Sequence, residues 1–169
     1  MKRNNRGYSL VELIAVKAIM AVVAAGSFVS INLISGRPAI KAANLLTQTL
    51  RSARLTASGK LENTVTIYRD SAGNLYAEVS FTDGNGNALT NQTKLGDKRV
   101  KMTYKVSGET AERELNTSAD DPLVLQFDRA TGAFRPTVGG KYCTEIRTSK
   151  ANKTGTVILH YLTGKIVVK

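Results

Sequence analysis

The chain has little of what metal sites, disulfides and aromatic binding surfaces require. Its 169 residues include no tryptophan, one cysteine (Cys143) and one histidine (His160). A lone cysteine excludes an intrachain disulfide, so we expect Cys143 to be a buried, neutral thiol. With a single histidine a zinc constellation is not expected, and His160 is predicted to be an ordinary strand residue.

Catalytic signatures are also missing. No glycine-rich loop joins a strand to a helix, and no serine lies in a Gly-x-Ser-x-Gly context. Residues 83–87 (DGNGN) begin like a calcium loop, but Ala88 and Lys94 occupy the positions where an EF-hand has Gly and Glu. We therefore predict a tight turn there, no metal, no cofactor and no enzymatic activity.

Positive charge is in excess. The formal net charge is +11, with 24 Lys and Arg against 13 Asp and Glu. Such an excess permits binding to nucleic acid or to anionic surfaces. Aromatic residues make up only 6% of the chain, which argues against a stacking platform for single-stranded nucleic acid.

The N-terminus combines a basic leader with a long apolar run. Lys2, Arg3 and Arg6 precede an apolar stretch at residues 10–34, which is 25 residues long. A helix needs about 20 apolar residues to cross the hydrocarbon core of a bilayer. Because basic residues before such a span stay cytoplasmic, we predict a single pass through the cytoplasmic membrane.

One carboxylate, Glu12, interrupts this apolar run. An isolated charge in hydrocarbon costs about 2.5 kcal/mol or more, so its presence usually marks a function. Lys17 lies about 140° further around a helix and does not share a face with Glu12. Two interpretations of Lys17 are open: it extends its ammonium to the membrane surface, or it pairs with a carboxylate of another subunit.

Residues 6–16 (RGYSLVELIAV), together with the basic leader, resemble the processing site of type IV prepilins. In that family a dedicated peptidase cleaves after the glycine, and the new N-terminus is methylated. The resemblance implies cleavage between Gly7 and Tyr8. It also implies that Glu12 of one subunit meets the Tyr8 amine of its neighbour during assembly.

Three other interpretations of this segment are open. Residues 24–26 (AAG) are similar to a signal-peptidase site, which would make the run a secretory signal. The run is also compatible with a plain membrane anchor. The third interpretation is that Glu12 merely lies near the membrane edge and is solvated there.

The rest of the chain predicts an α+β fold, with a long N-terminal helix packed on an antiparallel β-sheet domain. We expect a leader at residues 1–7, a hydrophobic helix at 8–34, an amphipathic helix at 35–59 and a β-rich domain at 60–169. Residues 35–38 (SGRP) predict a kink near Gly36–Pro38, and the helix is expected to resume at Ala39. Its predicted buried stripe is Ala39, Ala43, Leu46, Leu50, Ala53 and Ala57.

Alternating apolar residues predict the strands. The expected ranges are 64–68, 75–81, 99–106, 123–127, 142–148, 154–161 and 165–168. Residues 71–74 and 163–164 are predicted hairpin turns. The polar segment at residues 108–121 is predicted to be a surface loop.

Within the prepilin family, residues 45–58 (LLTQTLRSARLTAS) and the ending at 159–166 resemble the minor pilins related to the H pseudopilin of type II secretion. This implies a structural subunit of a pilus or secretion filament. Its partners would be other pilins, the prepilin peptidase, a platform protein and an ATPase. It would reside in the cytoplasmic membrane and then in a surface or extracellular filament.

Two rival functions follow from the same sequence. Some minor pilins of this kind bind DNA, and the last part of the chain is rich in basic residues. The candidate DNA-binding residues are Lys141, Lys150, Lys153, Lys165 and Lys169. The other rival is a secreted β-rich binding domain behind a signal peptide.

Overall fold

The computed structural model describes residues 10–21, 37–57, 63–82, 85–115 and 121–169. The chain divides into two compact units between Ser35 and Gly36. The first unit contains helix α1 at residues 10–21. The second contains helix α2 (Arg37–Ala57) and the strands. Three predicted features lie wholly or partly outside the described residues. They are the leader, the start of the predicted turn (Asp83 and Gly84) and Gly36, where the kink is predicted.

Helix α2 begins two residues earlier than the predicted start at Ala39. Pro38 is compatible with this start because the first turn of a helix needs no backbone N–H partner. All six residues of the predicted stripe are buried, which confirms the period of the pattern. Lys41, Asn44 and Gln48 lie on the exposed side.

The strands of the described ranges form two antiparallel sheets. Their bounds are β1 Asn63–Arg69, β2 Leu75–Thr82, β3 Ala88–Gly96, β4 Lys101–Val106, β5 Glu112–Glu114, β6 Leu123–Gln126, β7 Cys143–Lys150, β8 Lys153–His160 and β9 Lys165–Val168. The first sheet has the order β3-β2-β1-β6, and the second has the order β5-β4-β7-β8-β9. The predicted α+β class is confirmed, and the two predicted hairpins, β1–β2 and β8–β9, are present.

Two segments differ from the prediction. Strand β3 was not predicted, because most of its positions are exposed and its sequence does not alternate. The predicted loop at residues 108–121 contains β5, which pairs with Thr103–Lys105 of β4, and a buried Leu115. All three residues of β5 are exposed, so no hydrophobic pattern marks the strand.

The core lies between α2 and the two sheets. Leu46 and Leu50 of the helix pack with residues from both sheets, including Ile67 and Val157. The helix comes close to β8 at Gly155, where an added Cβ would lie 2.7 Å from the Cβ of Ala43. A side chain of any size at position 155 would therefore push α2 away from the sheet.

A buried threonine adds a polar link at the same contact. Thr148 of β7 is fully buried, and its hydroxyl donates to the carbonyl of Ala39 at 2.8 Å. This bond satisfies a hydroxyl that would otherwise lose water without compensation. It also fixes the first turn of α2 against the sheet.

Candidate functional site

Helix α1 has large apolar side chains on all sides and two charged residues, Glu12 and Lys17. Its large side chains are spread around the whole circumference, and each is at least half exposed. They are Leu10, Val11, Leu13, Ile14, Val16, Ile19 and Met20. A helix that is hydrophobic all round requires an apolar environment, which is either a membrane or a bundle of other helices.

Glu12 lies on this apolar helix, and its side chain is exposed. Within α1, no residue forms a hydrogen bond or an ion pair with its carboxylate. Lys17 is exposed on the same helix. Gly7 and Tyr8, the predicted processing residues, lie outside the described ranges.

The described helices do not include one that is both long and apolar enough for a membrane crossing. The predicted span covers residues 10–34, of which 22–34 are not described.

Two arginines of α2 bind the closing turn of the chain. Arg54 donates through Nε to the carbonyl of Gly132 at 3.2 Å and through Nη2 to that of Thr163 at 2.8 Å. Arg51 donates to the carbonyl of Ile166 in β9 at 3.0 Å. The two segments that carry the resemblance to H-type minor pilins therefore contact each other directly.

Glycines make room for the Arg54 guanidinium. Gly132 and Gly164 both have positive φ angles, of 67° and 65°. A Cβ on Gly164 would lie 1.8 Å from the carbonyl oxygen of Gly132, and one on Gly132 would lie 3.1 Å from Nε of Arg54. Only glycine satisfies both the backbone conformation and the available space at position 164.

The five candidate DNA-binding lysines do not form one cluster. Lys150 and Lys153 face each other across the turn between β7 and β8. Lys169 pairs through its backbone with Thr156, further along β8. Lys165 is opposite His160, at the other end of β8, and Lys141 precedes β7. The structure therefore brings Lys150 and Lys153 together and separates Lys165 from them.

Two of these lysines are neutralised by acids from elsewhere in the chain. The ammonium of Lys141 lies 3.0 Å from the carboxylate of Glu109. That of Lys150 lies 3.8 Å from Asp97, and its side chain is only 12% exposed. Lys153, Lys165 and Lys169 are exposed and have no ion pair with any residue that the structure describes.

An ion-pair network also covers the outer face of the second sheet. Glu112 of β5 pairs with Arg147 of β7 and, at 3.5 Å, with Lys105 of β4. A hydrogen bond from the Thr103 hydroxyl lowers the pKa of Glu112 below its usual value, and the positive charges of Arg147 and Lys105 lower it further. Sequence reasoning missed the Glu112–Arg147 pair because the two residues are 35 positions apart and become neighbours only through strand pairing.

The single cysteine and the single histidine show no sign of a catalytic or metal-binding role in the described residues. Cys143 is buried, as predicted, and burial raises the pKa of its thiol to about 12. His160 is the last residue of β8 and is exposed. Within the described parts of the chain, no three His, Cys, Asp or Glu residues are arranged to hold a metal ion.

Comparison with known families gives one match. Residues 2–28 match the family model described as the prokaryotic N-terminal methylation motif. The match supports a type IV pilin-like, prepilin-type subunit that associates with other pilins and the prepilin peptidase, and it favours a structural, non-enzymatic protein. The α+β fold is consistent with a pilin-like architecture. No curated protein and no solved structure matches the chain.

Proposed function

We propose that this chain is a minor pilin or pseudopilin, a structural subunit of a type IV pilus or a type II secretion filament. The prepilin peptidase cleaves it between Gly7 and Tyr8, and the new N-terminus is methylated. A platform protein and an ATPase then move it from the cytoplasmic membrane, which it spans once, into a surface or extracellular filament.

The observation that carries this proposal is the methylation motif over residues 2–28, which includes both the processing residues and Glu12. The apolar circumference of α1 adds a physical reason, because such a helix needs other apolar helices or lipid around it. A single exposed carboxylate on that helix needs a cation in the same environment. Cleavage after Gly7 supplies one, since the Tyr8 amine is protonated near neutral pH.

In this mechanism Glu12 of an incoming subunit pairs with the Tyr8 amine of its neighbour. Each charge alone would be costly among apolar helices, and the pair removes most of that cost. The main effect is on axial register, because the attraction is offset by the desolvation of both groups. A wrong register would leave two buried charges without partners.

Processing is tested by mass spectrometry of the chain recovered from the membrane. We expect an N-methylated Tyr8 as the first residue. A chain beginning near Gly26 would instead identify a secretory signal, and an intact Met1 would identify a plain anchor.

Assembly is tested by substituting Glu12. Glu12→Ala and Glu12→Gln should both insert into the membrane and be processed, but should be depleted from sheared filaments. Glu78→Gln in β2 is the matched control, because it removes the same charge from the β-rich unit. Normal incorporation of both Glu12 variants would exclude the pairing mechanism.

The assignment to the H-type minor pilins is supported by the contacts of Arg51 and Arg54 with the closing turn. These contacts join the two sequence segments that resemble that group. The choice between pilus and secretion filament is tested by complementation. Restoration of pili in a strain lacking minor pilins supports a pilus role, whereas restored export in a strain lacking the H pseudopilin supports a secretion role.

A DNA-binding minor pilin is the alternative within the same family. Three exposed lysines without ion pairs among the described residues favour it: Lys153, Lys165 and Lys169. The neutralisation of Lys141 and Lys150 weakens the original five-residue patch. Gel retardation with the full chain in detergent, over a salt series, tests this function; no retardation at low salt, or no loss for the triple Lys→Ala variant, rejects it. A secreted β-rich binding domain would instead follow from cleavage near Gly26.

A further inference from the structure

Arg69, at the end of β1, is a buried cation without a carboxylate partner. Only 6% of the residue is exposed. Its guanidinium donates to three backbone carbonyls: Nε to Leu115 at 3.1 Å, Nη1 to Gly73 at 2.9 Å and Nη2 to Val100 at 2.6 Å. No described carboxylate forms an ion pair with it, but Glu114 lines the same cleft: burial lowers the pKa of Arg69, and the charge of Glu114 raises it. The buried charge is therefore opposed by a nearby carboxylate that it does not contact directly.

The guanidinium borders an open cleft of about 340 Å³. The cleft lies between the β1–β2 turn, the segment that leads into β4 and the end of β5. Its walls include Ser71, Lys98, Lys101 and Glu114. Arg69 has five N–H groups, of which three donate to the carbonyls; the other two have no hydrogen-bond partner among the described residues.

The charges around the cleft are unbalanced. Arg69, Lys98 and Lys101 contribute three positive charges, and Glu114 contributes the single carboxylate of its walls. Neither lysine forms an ion pair with another residue in the described ranges. Elsewhere in the second sheet Lys105, Arg147 and Lys150 are paired with acids, whereas Lys153 and Lys165 have no ion pair in the described ranges.

The shape of the cleft is rigid on the side of the turn. Gly73 has a φ of 82°, and a Cβ there would lie 3.1 Å from the Cβ of Lys98. The backbone of the turn therefore lies close to Lys98, which lines the cleft together with Arg69. Asp70 reinforces the turn, because its carboxylate accepts from the backbone N–H of Asn74 at 2.7 Å.

We propose that this cleft binds a phosphate-class oxyanion, either free phosphate or the phosphate of a small monoester. A planar guanidinium in a cleft that is also lined by Lys98, Lys101 and Ser71 is suited to several oxygens of one dianion. The cleft is larger than one phosphate ion requires, so a phosphate that carries a small organic group also fits. The site does not depend on filament assembly.

The test uses the full-length chain in a neutral detergent, titrated with inorganic phosphate at constant ionic strength. We expect saturable shifts of the amide resonances of Gly73 and Lys98. A parallel titration with a hexose phosphate distinguishes the two sources, because tighter binding of the ester would indicate contacts beyond the phosphate. Absence of saturable shifts with both ligands, or equal binding of acetate, would overturn the proposal.

Charge-changing variants locate the ligand. Lys98→Ala/Lys101→Ala should weaken phosphate binding about tenfold or more, because two of the three cations are lost. Glu114→Gln should tighten binding several-fold, because the opposing carboxylate is lost. The control is Lys41→Ala/Arg129→Ala, which removes two positive charges that do not line the cleft. It should change the affinity for phosphate by less than about twofold. Equal weakening by both double variants, or no effect of Glu114→Gln, would contradict this location.

Discussion

Arg54 and Thr163 are 109 positions apart in the chain, and the guanidinium of the first donates to the carbonyl of the second at 2.8 Å. The bond joins the last turn of α2 to the turn before the final strand. Together with the bond to Gly132, it connects three segments: the last turn of α2, the turn at Gly132 and the turn before β9.

We expect Arg54→Ala to destabilise the fold by about 1–3 kcal/mol, because two carbonyl acceptors lose their donor. The measurement is the free energy of unfolding in urea. Arg129→Ala is the control, because Arg129 is exposed and forms no hydrogen bond or ion pair with any residue in the described ranges. A loss no larger than that of the control would mean that water replaces the guanidinium without cost.

Gly155→Ala should destabilise the fold by about 1–3 kcal/mol, since the new methyl group would overlap Ala43. The double variant Gly155→Ala/Ala43→Gly restores the space and should recover part of this loss. Ala43→Gly alone measures the cost of glycine in the helix, which is about 1 kcal/mol. Strictly additive effects in this double-mutant cycle would contradict direct contact between the two positions.

Cys143 should be unreactive toward thiol reagents in the native protein at pH 8. Burial raises the pKa of its thiol to about 12, so the thiolate is scarce and inaccessible. Unfolding in guanidinium should make the thiol react at the rate of an ordinary cysteine. Because the folded thiol holds its proton more tightly than the unfolded one, its contribution to stability should be lost as pH rises from the ordinary thiol pKa toward 12. Rapid modification of the native chain would contradict its burial.

The carboxyl group of Glu109 should titrate below its ordinary range. Hydrogen bonds from Lys141 and then Arg113 lower its pKa. This contribution to stability is present above the ordinary pKa of the group and is lost as pH falls through the lower, folded value. Lys141→Ala should raise the pKa of Glu109 toward its ordinary value, as measured by carbon NMR. Lys153→Ala should leave it unchanged, and an unchanged pKa in Lys141→Ala would show that the ion pair is absent in solution.

Much of the second unit could be predicted because its patterns are local. The stripe of α2 repeats at the period of a helix, and β1 alternates buried and partly buried residues over its whole length. Strand β3 could not be predicted in this way. Its first five residues are all exposed, so its place in the sheet depends on pairing with β2 and not on burial.

The candidate site residues show the same division. The processing residues Gly7 and Tyr8 and the carboxylate of Glu12 were predicted from a short motif, and the family match covers the same segment. Their roles stay proposals. The basic patch near the C-terminus was predicted from composition alone, and composition does not indicate which acids become neighbours.

By itself the sequence determined the helical stripe, most of the strands and the prepilin-type N-terminus, because each depends on a pattern of residues that are close together in the chain. Only the tertiary structure decided which charges are paired. Lys141 meets Glu109, Arg147 meets Glu112, and Arg69 meets only carbonyls beside an open cleft. The physical reason is that electrostatic pairing depends on distance in space, and the strand order β5-β4-β7-β8-β9 that sets these distances is not recorded in any local pattern.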